Sequence, residues 1–308
     1  MAAARHRPRL LGSMGLTLAA VLVLVAAPAS ALSSHDRELL GSKRSEIIPA
    51  ASDTLLMWSE NTHAHPRFYN AYVRPLAGGA RTKLNADGTK GFAGSIDGSK
   101  VIFQQTSGNS SSMRIYDTAT GHYVPVRSGV NTPHWEYAPF ISGNFLFFGR
   151  VYDHHGRYAD KLILHNATTG HETVLDTVSG RFNRPGPYHI VGQLNGDYVT
   201  WATCLPHHGC DVFLRRISTG HVTGVPDHGL EYSSSVAADG TLFFVRSGPG
   251  CGNHARLMEF KNGSATLVRD FAKNRDSFET YAVTSTQLVR EVNSCHTHDA
   301  NVDLTTIS

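Results

Sequence analysis

The chain has none of the short motifs that identify a common reaction. After residue 31 there is no Gly-x-Ser-x-Gly elbow, no His-Glu-x-x-His pair, no phosphate-binding loop and no dinucleotide fingerprint. Ser, His and Asp are plentiful, yet no spacing selects a triad from them. A second long apolar run is also missing, which leaves no candidate membrane helix beyond the first thirty residues. No Pro- or Ser-rich linker divides the sequence. Cysteine is scarce, at four residues, and its spacing is unlike that of a zinc knuckle.

What is present begins with an address. Arg5, Arg7 and Arg9 precede an apolar stretch from Leu16 to Ala27, and Ala29-Ser30-Ala31 supplies a small-x-small cleavage pattern. Residues 1–31 read as a cleaved signal peptide and 32–308 as one domain, secreted, monomeric and without a membrane anchor. The leader holds three bases and no acid, so the apparent excess of 28 Lys+Arg over 25 Asp+Glu vanishes in the mature chain. A neutral mature chain gives no footprint for a nucleic-acid partner. Histidine is abundant, at 18. Free imidazole titrates near pH ~6.5, so mild acid should charge this surface.

The main signal is repetition. Ser95-Ile96-Asp97-Gly98-Ser99-Lys100-Val101-Ile102-Phe103 leads to Arg114-Ile115-Tyr116-Asp117-Thr118-Ala119-Thr120-Gly121. Ala237-Ala238-Asp239-Gly240-Thr241-Leu242-Phe243-Phe244 leads in turn to Leu257-Met258-Glu259-Phe260-Lys261-Asn262-Gly263. The turn glycines Gly78, Gly121, Gly170, Gly220 and Gly263 recur every 43 to 50 residues, which makes six units over residues 32–308. Each unit reads as a strand of small residues, a strongly apolar strand, an alternating strand and a polar strand. That is the inside-to-outside order of a radial blade, crowded at the axis and wet at the rim. The last unit lacks its fourth strand, and Arg37-Glu38-Leu39-Leu40-Gly41-Ser42 has the character to supply it and remove an open edge.

The phrase Asp97-Gly98-Ser99-x-Val101-x-Phe103 … Ile115-Tyr116-Asp117-x-x-Thr120-Gly121 resembles the WD40-like repeats of TolB-type six-bladed β-propellers. The resemblance covers nearly all of residues 32–308 and is best over 92–126. It implies an all-β propeller of six four-stranded antiparallel blades, closed by the N-terminal strand, and it implies shape rather than chemistry.

Strand direction puts the loops between second and third strands, and the blade-to-blade connections, on one irregular face. All four cysteines fall there, and in an exported chain an even count favours disulfides. Cys204 and Cys210 bracket one loop, while Cys251 and Cys295 occupy matching loops of adjacent blades. His63, His65, His296 and His298 form two His-x-His pairs in the first and last blades, a candidate site for a divalent metal. The lead-ins to the inner strands carry Trp135, Glu136 and Tyr137, Tyr188 and His189, Glu231 and Tyr232, and Glu279 and Tyr281. Aromatics beside carboxylates at a channel mouth suit a ligand, and they also suit plain packing. The expected function is a secreted binding module for a protein, glycan or small molecule. The alternatives are a metal-assisted lyase or hydrolase acting on a sugar or lactone, and a histidine-based acid sensor.

Overall fold

A computed structural model resolves the gradient of side-chain size into six four-stranded antiparallel sheets arranged as a propeller. The structure describes residues 36–40, 45–62, 65–225, 230–247, 255–271, 275–294 and 300–307. The inner strands of blades 1 to 6 are Glu46–Ala51, Lys90–Asp97, Trp135–Ser142, Tyr188–Asn195, Leu230–Val236 and Arg275–Thr284. Second strands hold the bulk. Leu56, Met57, Trp58, Ile102, Phe103, Phe147, Phe148, Phe243 and Phe244 are all buried. A second strand is covered by a neighbouring blade on each side, so both of its alternating faces are apolar. Outer strands such as Ser264–Asp270 are largely solvated, which explains their polar composition.

The repeat's punctuation has a backbone cause. Gly78, Gly121, Gly170, Gly220 and Gly263 all adopt φ between 71° and 107°, a region that side-chain-bearing residues avoid. In three of these turns the glycine amide donates back four residues, Gly121 to Asp117, Gly170 to Asn166 and Gly220 to Arg216. In the Gly170 turn, Asn166 also accepts from the Thr168 and Thr169 amides, so local turn chemistry accounts for asparagine at that position.

The closing strand is Asp36–Leu40, which pairs antiparallel with Ala300–Thr306 as the outer strand of blade 6. Arg74 of blade 1 donates to the Leu39 carbonyl at 2.8 Å. Leu39 and Leu40 pack on a core of Leu56, Trp58, Val289 and Val302, which comes from both blades. Hydroxyls stitch neighbouring blades near the axis. Ser59 accepts from the Ala93 amide, Ser95 from Ile141 and Ser233 from Thr280, at 2.7 to 2.9 Å.

Candidate functional site

Every inner strand contains a residue more than its partner, and that of blade 6 gains a second one near its end, between Ala282 and Thr284. In blade 3 the register runs from Tyr137 opposite Gly149 to Phe140 opposite Phe147, and each other blade shows a matching shift. Such bulges bend a strand and re-aim its side chains. Three of them hold a non-glycine residue at positive φ, namely Ile48, Ala138 and Ser233. In blade 2 the bulge carries Gly94, where an added Cβ would lie 2.1 Å from the Pro139 carbonyl oxygen of blade 3. These bends open an axial cavity of about 440 Å3. Ile48, Phe92, Trp135, Tyr137, Ala138, His189, Ile190 and Glu279 are among its walls, so inner strands of five blades contribute.

Deeper in the ring the axis is plugged. The Gln193 side chain of blade 4 accepts from the Val236 and Ala282 amides at 3.1 and 3.0 Å and donates to the Ala282 carbonyl at 3.0 Å. One amide group therefore ties blades 4, 5 and 6 together. Tyr281 sits in the same core, its hydroxyl against Ile96 and Gln193. Burial pushes that phenol up to about 12, against the pull of those hydrogen bonds.

Glu279 is the unusual acid. It lines the cavity, and burial together with the neighbouring charge of Glu291 pushes its carboxyl up to about 8. Near neutrality this side chain is chiefly a protonated, hydrogen-bond-donating acid. Glu291 is itself engaged, accepting from the Ile48 amide at 3.1 Å.

On the opposite wall a polar chain runs from the cavity into the interface of blades 3 and 4. The Tyr137 hydroxyl donates to Asp160, 2.9 Å from both oxygens. Asp160 faces His189 Nδ1 at 3.1 Å, and His189 Nε2 faces Asp176 at 3.3 Å. Asp176 accepts from Thr203 Oγ1 at 2.7 Å and from its neighbour's amide at Thr177. Burial raises the Asp176 carboxyl, but these two donors and His189 outweigh it and hold it below its ordinary value. Burial, then Asp160, pushes the Tyr137 phenol well above the usual range. The Tyr137 ring lies on Gly149, where an added Cβ would be 2.1 Å away, which explains a bare residue in a bulky strand.

The lead-in residues therefore divide. Trp135, Tyr137, His189 and Glu279 meet at the cavity. Glu136 lies apart from it, fully buried against Arg150 Nε at 3.0 Å, and Glu231 is fully buried against Arg246. Tyr188 is 52 % exposed, Tyr232 packs on the core between blades 5 and 6, and Tyr281 belongs to the plug. Cys204 and Cys210 are directly opposed across a hairpin and form a disulfide, a feature of oxidising compartments. Cys251, Cys295, His63, His296 and His298 lie outside the described residues, and of His65 only its place in the strand His65–Pro75 is described. Among the described residues no group of three His, Cys, Asp or Glu could hold a metal ion. Sequence reasoning missed Gln193, Asp160 and Asp176. Gln193 had a signal, as a long polar side chain inside the run Ile190-Val191-Gly192-Gln193-Leu194.

Comparison with known proteins bears on shape. No protein-family model and no curated protein sequence matches the chain. Among solved structures, TolB from Acinetobacter baumannii superposes with a TM-score of 0.55 at 11 % identity, covering 82 % of this chain and 64 % of that one. A putative TolB from Agrobacterium tumefaciens gives 0.53 at 12 % identity over 90 % and 99 % of the two chains. The acylaminoacyl peptidase of Pyrococcus horikoshii gives 0.55 at 10 % identity over 86 % and 46 %. The chain thus spans under two thirds of the first of these proteins and under half of the peptidase. At such identities the likeness is one of fold, a TolB-like six-bladed propeller.

Proposed function

We propose that this chain is an exported binding propeller that takes a small, uncharged and largely apolar ligand into its axial cavity. In this reading Glu279 donates a hydrogen bond to an acceptor on the ligand. The observation that carries the reading is a plugged cavity with aromatic walls and one acid whose carboxyl is pushed up to about 8. A carboxyl in that state is a donor at neutral pH, and a mainly apolar pocket with few convergent polar groups is the usual form of a small-molecule site. An anionic ligand would be repelled by Glu291 and by any ionised Glu279. The leader pattern in residues 1–31 and the Cys204–Cys210 disulfide support export.

A panel of aryl ketones and aryl ethers, with aryl amines as the contrasting arm, tests this by ligand-observed NMR and tryptophan fluorescence. Ketone binding should weaken by about tenfold between pH 7 and 9 as Glu279 ionises. Glu279→Gln should keep the binding and lose the pH dependence, since the amide still donates. Ile190→Trp should fill the cavity and abolish binding. Binding unchanged in Ile190→Trp removes the cavity from the reading, and amine binding that strengthens toward pH 9 reverses the assigned ligand chemistry.

A further inference from the structure

Blade 3 is longer than its neighbours. Its strands Phe145–His154, Arg157–Asn166 and Glu172–Arg181 each run ten residues. The first two join through His155 and Gly156, both at positive φ, the geometry of a tight two-residue hairpin. Their register places Arg157 directly opposite both His154 and Arg181. Two guanidinium groups facing each other across a ladder repel, and like charges at such positions destabilise a sheet. Neither guanidinium group has a hydrogen-bond or ion-pair partner among the described residues, and both residues are exposed.

Alternation sharpens the point. Tyr152, His154, Arg157, Lys161 and Arg181 share one face of this sheet, whereas Asp153, Asp160 and Asp176 alternate to the other. Asp160 and Asp176 are already engaged with Tyr137, His189 and Thr203. Arg150, further in on the basic face, is satisfied by Glu136 and Glu172. The unpaired guanidinium groups thus lie together at the outer end, where a cavity of about 440 Å3 is bordered by Tyr152, His154, Arg157, Tyr158, Ser179 and Arg181. Lys161 lies further in, opposite Arg150, and is held over the Tyr152 ring at 4.8 Å.

We infer that this cavity is a second binding site, separate from the axial one, and that it takes an oxyanion of the phosphate, sulfate or carboxylate type carried on a larger molecule. Two guanidinium forks side by side suit paired hydrogen bonds to such a group, and an anion between them removes their mutual repulsion. The volume exceeds what a bare ion needs, so the rest of the ligand lies along Tyr152 and Ser179.

The test titrates the mature protein with inorganic phosphate, sulfate, glucuronate and a hexose phosphate, read by calorimetry and by amide NMR shifts. Binding of at least one oxyanion should shift blade 3 amides and weaken as sodium chloride rises from 50 to 500 mM. It should fall about tenfold or more in Arg157→Gln and in Arg181→Gln. The phosphate, sulfate and glucuronate arms show which oxyanion is preferred. Ile190→Trp, which blocks the axial cavity, should leave this binding unchanged. In ligand-free protein at low salt, Arg181→Gln should raise the melting temperature, because one of two opposed like charges is gone. Failure of all four probes, or binding retained in the Arg157→Gln/Arg181→Gln double variant, overturns the proposal. A lowered melting temperature in Arg181→Gln overturns the argument from repulsion.

Discussion

Glu136 and Glu279 both sit in inner strands, yet the fold treats them in opposite ways. Glu136 lies directly opposite Arg150 in the ladder, before the bulge of blade 3, and is sealed against that cation. Glu279 lies within the bulge of blade 6, at the position where blade 3 has Pro139, and the extra residue turns it toward the axis and the charge of Glu291. Burial raises both carboxyls. For Glu136, Thr132 and Arg150 pull the other way, and the pair remains in contact. For Glu279 the neighbouring charge adds to burial. One acid fastens a blade, and the other lines the axial cavity with its carboxyl pushed up.

The largest test of this contrast is Glu136→Ala. Arg150, 4 % exposed in its side chain, would keep Glu172 but lose its innermost partner. Stability should fall by about 4 kcal/mol in urea unfolding, the size expected when one half of a buried pair is removed. A loss below 1 kcal/mol would mean that Glu172 alone suffices. The second test is pH. The folded Glu279 carboxyl, at about 8, stands above its ordinary 4.5, so the fold binds this proton more tightly than the unfolded chain does. Its contribution is fully present below about pH 4.5 and is lost as pH rises toward 8 and beyond. Between pH 5 and 8 the decline should be about 3 kcal/mol, and Glu279→Gln should remove it. An identical slope in the variant would show that Glu279 is not the group responsible. The smallest effect is expected from Glu231→Ala. Its partner Arg246 is 14 % exposed and can turn to water, so the loss should be about 2 kcal/mol by the same unfolding assay.

The architecture was legible because its determinants are local. Turn glycines need positive φ, second strands need bulk on both faces, and Arg37 to Ser42 could be matched to a missing strand by character alone; the strand observed there is Asp36–Leu40. The site was only half legible, because its determinants are not local. Grouping Glu136, Glu231 and Glu279 as one theme overlooks the bulge, and nothing in the side-chain pattern marks where a strand gains a residue. The partners of His189 come from the preceding blade, at Asp160 and Asp176. No spacing within the His189 strand could reveal them. The opposed arginines of blade 3 become visible only once register pairs Arg157 with Arg181.

The pairing of Asp36–Leu40 with Ala300–Thr306 sets an order of events during synthesis. A segment made early has no sheet to join until nearly the whole polypeptide exists. Its register partners are separated by more sequence than any other paired strands in the ring, and contacts of such range form late and slowly. The hem of the ring is therefore the last seam that synthesis permits to be sewn.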